Sequence, residues 1–257
     1  MKKPRIIFLA SPCDFTNMIY HEIAEASDIY KVIFEKPVSK KVFVKRRIKR
    51  LGYLQVFGQL SFQLGIVPFL RKFSTKRIEE ILSDKKISRN EIPHDKVIQV
   101  NSVNSKQTRQ LLHELHPDLV LVNGTRIISE KTLASTDAPF VNLHVGITPL
   151  YRGVHGGYWA LAKGNAACCG VTIHLIDKGI DTGGILAQSI IQPTKRDNFV
   201  TYPYLQVAAG IQLLNKLIRS FSSKKLQVLP PPKGPSRLWY HPTIWEYLGI
   251  YFQKGIK

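Results

Sequence analysis

Residues 141–191 read VNLHVGITPLYRGVHGGYWALAKGNAACCGVTIHLIDKGIDTGGILAQSII. The run Phe140 to Leu143 ends like a buried strand, and Gly170 to Ile176 has the length and β-branched content of a second one. Side chains two apart on a strand share a face, so Asn142 and His144 point the same way while Leu143 turns into the core. The glycine-rich segment Lys178 to Gly184 then returns the chain toward the first strand with Asp181 at its tip. A carboxamide, an imidazole and a carboxylate are thereby expected to meet in one place.

Upstream, short apolar runs alternate with helical patterns. Ile6 to Ala10 precedes a turn at Ser11 and Pro12, and Asp14 stands where it caps a helix from Phe15 to about Ala26. Tyr30 to Phe34, Lys96 to Val100 and Leu119 to Val122 read as further strands, and Ser105 to Leu115 as a helix with Leu111, Leu112 and Leu115 at helical spacing. This alternation predicts an α/β fold, a doubly wound and mostly parallel sheet, Rossmann-like, with a basic helical insertion and a short C-terminal extension. Ligands of such sheets bind beyond the carboxyl ends of the strands, which sets the loop from Asn123 to Ile128 on the same rim as Asn142 and His144.

The three side chains suit acyl transfer to an amine. When an amine attacks a formyl carbon the carbonyl oxygen gains charge, which the Asn142 amide and a protonated His144 can stabilise. Asp181 is expected to hold His144 cationic and to take or relay the amine proton. No serine or cysteine nucleophile is needed if the two substrates react directly. Taken one at a time, a strand-end asparagine, a loop histidine and an IDTGG turn are also ordinary structural features.

Together with LVLVNGTRIIS upstream, the pieces NLH, TPLYRG and GVTIHLIDKGIDTGGIL resemble the folate-dependent formyltransferase family, over roughly Asp118 to Ile191. That family includes the glycinamide ribonucleotide, methionyl-tRNA and sugar N-formyltransferases. The resemblance implies 10-formyltetrahydrofolate as donor, no metal, and Asn142, His144 and Asp181 on the family's catalytic Asn, His and Asp. It also implies a pterin pocket lined by Thr125, Arg126, Ile127 and Ile128, completed by the backbone from Ile176 through Asp177 to Gly179. Tyr151, Arg152 and His155 are expected beside the acceptor, whereas His174 reads as a structural strand residue. Val145 departs from the proline or glycine that many members carry after the histidine.

The acceptor is less constrained. The segment FLASPCDFTN lacks the glycine- and serine-rich turn with which glycinamide ribonucleotide enzymes hold a phosphate, and the tRNA-directed enzymes carry a separate C-terminal domain. A small amine or activated, nucleotide-linked amino sugar is therefore the first reading, with methionyl-tRNA or glycinamide ribonucleotide as alternatives. Hydrolysis of the donor by water is the rival enzyme reading, although deformylases resembling this family place a regulatory domain before the first strand. A non-catalytic binding protein is the third.

Composition bounds the rest. Residues 1–200 are read as the catalytic domain with a basic insertion at about 36–78, and residues 201–257 as a helix and an aromatic tail packed on the core. Three cysteines, two of them adjacent, make neither a disulfide framework nor a metal-ligand spacing, which points to a reducing, cytoplasmic setting. The apolar stretch near the N-terminus is too short for a signal peptide. Of the formal charge of +19, twelve Lys or Arg and no Asp or Glu fall between Lys36 and Arg77. Three readings of that segment stay open: a solvated basic face, an anionic membrane surface that would make the protein peripheral at the inner membrane, or contact with the phosphates of nucleic acid. A homodimer is a further partner reading for the aromatic tail.

Overall fold

Ile6, Phe8 and Ala10 turn to one side of the first strand, β1 (Arg5–Ala10), Ile7 and Leu9 to the other, and none of the five is exposed. A strand buried on both faces belongs at the centre of a parallel sheet covered by helices. The computed structural model, which describes residues 3–24, 26–221 and 226–257, has that arrangement. After β1 come α1 (Asp14–Ala24), β2 (Asp28–Glu35), the insertion helices α2 (Lys40–Leu51), α3 (Tyr53–Ser61) and α4 (Val67–Lys85), and β3 (Val97–Val100). The chain continues through α5 (Lys106–Leu115), β4 (Leu119–Asn123), α6 (Glu130–Leu133), β5 (Phe140–His144), β6 (Tyr151–Gly153) and α7 (Gly156–Ala162). It ends with β7 (Gly170–Leu175), β8 (Ile185–Ile190), α8 (Tyr202–Arg219), β9 (Arg237–Trp239) and α9 (Ile244–Lys254).

Seven strands form one sheet in the order β3-β2-β1-β4-β5-β7-β8. β3 through β5 run parallel, and β7 and β8 close the edge antiparallel. The strand order reverses between β1 and β4, so the chain leaves their carboxyl ends in opposite directions and opens a crevice there. Ala10 pairs with Asn123, and Val122 with Asn142, which brings three strand ends to one rim.

The sheet has a core on each face, and a third cluster lies beside it. α1 and α8 cover the face of Phe8, Leu121, Leu143 and Ile173, and α5 with Leu112 covers that of Leu9, Val120 and Phe140. The third cluster is aromatic: Phe62, Tyr158, Trp159, Phe199, Trp239 and Tyr247 bind the insertion and the last two elements to α7 and α8. Trp239 and Tyr247 are thus buried, whereas Trp245, Tyr251 and Phe252 of the same tail are exposed.

One buried ion pair ties α4 to the loop before α8. Arg77 Nε and Nη2 donate to Asp197 at 2.9 and 3.2 Å, and Asp197 also accepts from the backbone and hydroxyl of Thr194. Burial would raise the Asp197 pKa, but Arg77 and Thr194 outweigh it and hold the carboxyl below its ordinary value. A carboxylate depressed in this way stabilises the fold above its unfolded pKa, and the contribution is lost as the pH falls through the folded one. Arg77→Ala leaves the Asp197 charge buried without its partner. We expect it to lower the unfolding free energy by about 3 kcal/mol in urea titration at neutral pH, and a loss under about 1 kcal/mol would refute the role given to this pair.

Candidate active site

β7 pairs with β5 so that Asn142 faces His174 and His144 faces Thr172. Asn142 Nδ2 lies 3.1 Å from His174 Nε2, and His174 Nδ1 lies 2.7 Å from the Leu175 carbonyl. A carbonyl only accepts, so His174 donates from Nδ1, and in the tautomer with its single hydrogen there Nε2 takes one from the Asn142 amide. That leaves Asn142 a second amide hydrogen. His144 Nε2 similarly donates to the Tyr151 carbonyl at 2.9 Å, which fixes its ring and leaves Nδ1 directed toward Asp181.

Asp181 is delivered by the loop after β7. It adopts left-handed backbone, φ 51°, and the loop closes because Gly183 sits against the Leu175 carbonyl where a Cβ has no room. Arg152 Nη1 donates to the Ile180 carbonyl at 3.0 Å, and the Gly153 amide donates to Asp181 Oδ2 at 2.8 Å. The carboxylate ends between two imidazoles, with Oδ2 3.5 Å from His144 Nδ1 and Oδ1 3.6 Å from His174 Nε2.

The charges follow from burial. Desolvation would raise the Asp181 pKa, but His174, His144 and the Gly153 amide together bring it down to about 2. The carboxylate is therefore ionised at neutral pH. His144 goes the other way from the sequence expectation of a resident cation. Its ring is buried, and the desolvation penalty on the charged form outweighs the pull of Asp181 and the Tyr151 carbonyl, so its pKa lies below the ordinary imidazole value. It rests neutral, with a lone pair on Nδ1. A proton taken there would be held by Asp181.

These groups form one wall of a cleft of about 470 Å³. Thr125, Arg126, Ile127, Ile128, Ile176, Asp177 and Gly179 all line it as well, on the loops that follow β4 and β7. Ile128 is buried and Ile127 projects. Asp177 shapes its own loop, accepting from the Gly179 amide at 2.9 Å and the Thr182 hydroxyl at 2.7 Å. The Arg126 guanidinium is pinned by Glu35 at 2.6 Å and by the Lys36 carbonyl at 2.9 Å, rather than free for solvent or a ligand tail. Glu35, buried at the end of β2, also accepts from the amides of Arg126 and Val103 and so sets the shape of the 124–128 loop.

The three residues expected beside the acceptor separate. The Tyr151 ring is buried against Trp239, so its carbonyl alone reaches the site. Arg152 braces the Asp181 loop. His155 lies in a second cavity, of about 550 Å³, with Nε2 2.9 Å from His241 Nδ1. That cavity is lined by Asp14, Arg71, Thr75, Arg89 and Tyr204 among others, and Phe15 lines both spaces.

Sequence reasoning missed three participants. His174 alternates with Val171 and Ile173, but the cross-strand register that aims it at Asn142 is not written in its own strand. Glu35 gives a faint signal, a carboxylate closing the apolar run VIFE. The Gly153 amide gives none.

A family model described as formyl transferase matches residues 73–203, just over half of the chain. The chain belongs to this family. A methionyl-tRNA formyltransferase of Nitratiruptor sp. is 28% identical over 221 residues, covering 85% of this chain and 61% of that protein. The chain spans about half to three-fifths of the length of such curated relatives. Among solved structures, a phosphoribosylglycinamide formyltransferase from Streptococcus pneumoniae superposes with a TM-score of 0.54 at 20% identity, covering 84% of this chain and 98% of that one. A sugar N-formyltransferase from a Shewanella species gives 0.51 at 16% identity, over 84% and 68%. At these identities the two structures bear on the fold, and they share its formyltransferase architecture.

Asp181 raises the His144 pKa against burial, so removing its charge has a defined sign. In Asp181→Asn the His144 imidazole should titrate at still lower pH than in the parent chain, read by NMR of the ring protons. A His144 pKa that stays put or rises would show that the carboxylate does not act on this ring.

Proposed function

We propose that this formyl transferase family member is a cytoplasmic N-formyltransferase that moves a formyl group from 10-formyltetrahydrofolate to a primary amine by direct attack. The observation that carries the reading is the Asp181 carboxylate set between two imidazoles, one of them bonded to Asn142, all on a single wall of the cleft.

The cleft also suits the donor. Its volume falls within the range of cofactor pockets, and its lining is apolar at Phe15, Leu143, Ile128 and Val207 with the backbone of two loops beside it. When bound, the donor would supply the formyl carbon, which exchanges its bond to the folate nitrogen for one to the amine nitrogen, and the proton that His144 takes from the amine is the one the departing folate nitrogen requires. Asn142 donates its remaining amide hydrogen to the carbonyl oxygen as that atom takes up negative charge. His144, neutral at rest, accepts the proton shed by the amine at Nδ1, and the imidazolium so formed is stabilised by Asp181. The sequence reading gave His144 a cation's work from the start. Its burial favours a base that becomes a cation during the reaction.

For the acceptor we propose a small amine carrying phosphate, such as a nucleotide-linked amino sugar. The second cavity adjoins the first at Phe15, and Arg71, which lines it, forms no ion pair among the described residues. Arg89 on the same cavity is engaged by Glu79 and Asp14. Methionyl-tRNA, named for the relative from Nitratiruptor, is the alternative acceptor.

Incubation with 10-formyltetrahydrofolate and a panel of amines tests the proposal. Release of tetrahydrofolate that depends on the amine is expected, whereas release of formate without any amine would assign the chain to hydrolysis. Asp181→Asn should lower turnover about a thousandfold while the donor dissociation constant stays within about threefold. Unchanged turnover would remove Asp181 from the reaction.

Glu35 acts through the loop rather than on the reacting atoms. Glu35→Gln should raise the KM for the donor by about tenfold and leave kcat within about twofold, because it loosens the 124–128 loop without touching Asn142, His144 or Asp181. A fall in kcat at unchanged KM would contradict this positioning role.

A further inference from the structure

α3 passes through a π-helical turn at Phe62–Ile66 into α4 without leaving helical backbone, so residues 53–85 form one continuous helix. At 1.5 Å per residue it is roughly 50 Å long. Its inner side sends Val56, Phe62, Ile78 and Leu82 into the protein. Its outer side carries Tyr53, Leu54, Phe57, Leu64, Phe69 and Phe73, each between 62% and 79% exposed. Phe69 and Phe73, one turn apart, pack with tilted rings whose centroids are 4.8 Å apart. A helix on the surface of a globular protein ordinarily has one apolar stripe, facing the core. This one has a second, facing out.

The outward stripe is continued and flanked. Trp245 of α9 packs on Gly58 of α3, and the same short helix holds up Phe252, also largely exposed. α2, which precedes α3, buries none of its residues. Among the described residues Lys40, Lys41, Lys45, Arg46 and Lys72 form no ion pair, and no acidic residue lies anywhere between Lys36 and Arg77. Leucine and phenylalanine on the outside, bordered by unpaired cations, form an apolar face with a positive rim.

The charge selects the occupant. A second copy of the chain would set one dense cationic face against another and be repelled. A nucleic acid would satisfy the lysines and arginines through its phosphates, and its bases could stack on the rings, but it offers nothing to Leu54 or Leu64. An anionic bilayer satisfies both parts, with phosphates at the rim and acyl chains beneath the apolar side chains. Among the described residues no helix is long and apolar enough to cross a membrane, so the contact is one of lying on the surface.

We propose that the outer face of α3 and α4, with Phe252 of α9 and the cations of α2, docks on an anionic lipid bilayer. The opposite, inner side of the same α4 lines the second cavity with Arg71, Thr75 and Ile78, so a helix width of roughly 10 Å separates that cavity from the docked face.

Sedimentation of the full chain with lipid vesicles tests this independently of any formyl transfer. Vesicles of phosphatidylcholine with about 30% phosphatidylglycerol should pellet the protein, and phosphatidylcholine alone should not. Leu54→Ser with Phe57→Ser, and separately Lys40→Glu with Lys41→Glu and Lys45→Glu, should each cut the partition coefficient at least about tenfold. All five side chains are exposed, so circular dichroism and the melting temperature should stay as in the parent chain, and the lysine variant supplies the test if the apolar one fails to fold. Failure to pellet with the anionic vesicles would overturn the proposal. So would full binding by the folded apolar variant, or transfer of the protein from vesicles to an equimolar tRNA that the apolar variant binds as tightly.

Discussion

The antiparallel pairing of β7 with β5 is the constraint on which the cleft depends. Its register sets Asn142 opposite His174, and a slip of β7 by one residue would turn His174 to the other face of the sheet, away from Asn142. The same pairing ends β7 at Leu175, whose carbonyl then serves twice. It fixes the His174 hydrogen on Nδ1, and it is the surface on which Gly183 folds the Asp181 loop back. The parallel strands β1, β4 and β5 bring their ends to the rim, but it is the antiparallel step from β5 to β7 that closes a polar group over them.

Burial governs how those polar groups share charge. A carboxylate withdrawn from water holds its charge here only because His174, His144 and the Gly153 amide all favour the ionised acid, while burial keeps the His144 ring neutral. The resting arrangement is a base with its stabilising counter-charge already in place. A histidine cation there from the outset would already have used that counter-charge. The desolvation that makes a resident cation costly is thus also what leaves His144 able to accept a proton.

Much of the architecture was legible because it rests on local periodicity. The two-residue spacing of Asn142 and His144 fixed their common face, and the run of glycines around Asp181 announced the returning loop. The 124–128 loop fell where an α/β sheet binds ligands. What could not be read depends on distant partners. Arg126 is held by Glu35, 91 residues away, and His174 enters the site only through its register with Asn142. For Tyr151 the sequence pointed to the right neighbourhood and the wrong atom, since its carbonyl serves the site and its ring serves the aromatic core. The charge of His144 was misjudged because a sequence displays the attracting carboxylate but not the depth of burial that opposes it.

The insertion shows a different limit, one of phase. From Val56 to Leu82 a single 3.6-residue pattern does not sort the apolar residues into inner and outer, because the π-turn at Phe62–Ile66 adds residues to one turn and rotates everything beyond it. Phe62, where the turn begins, is buried, while Phe69 and Phe73 beyond it face outward. The turn also lets one long helix meet two environments, with Arg77 anchored on Asp197 inside and the phenylalanines outside. Near its start, Gln59 donates to the His241 carbonyl at 2.8 Å, and the His241 ring meets His155, which lines the second cavity. The helix that offers an apolar face to the surroundings is therefore bonded near one end to the loop that carries His241 and lines that cavity farther along. Any force on its outer face acts on a wall of the cavity, with no intervening loop to absorb it.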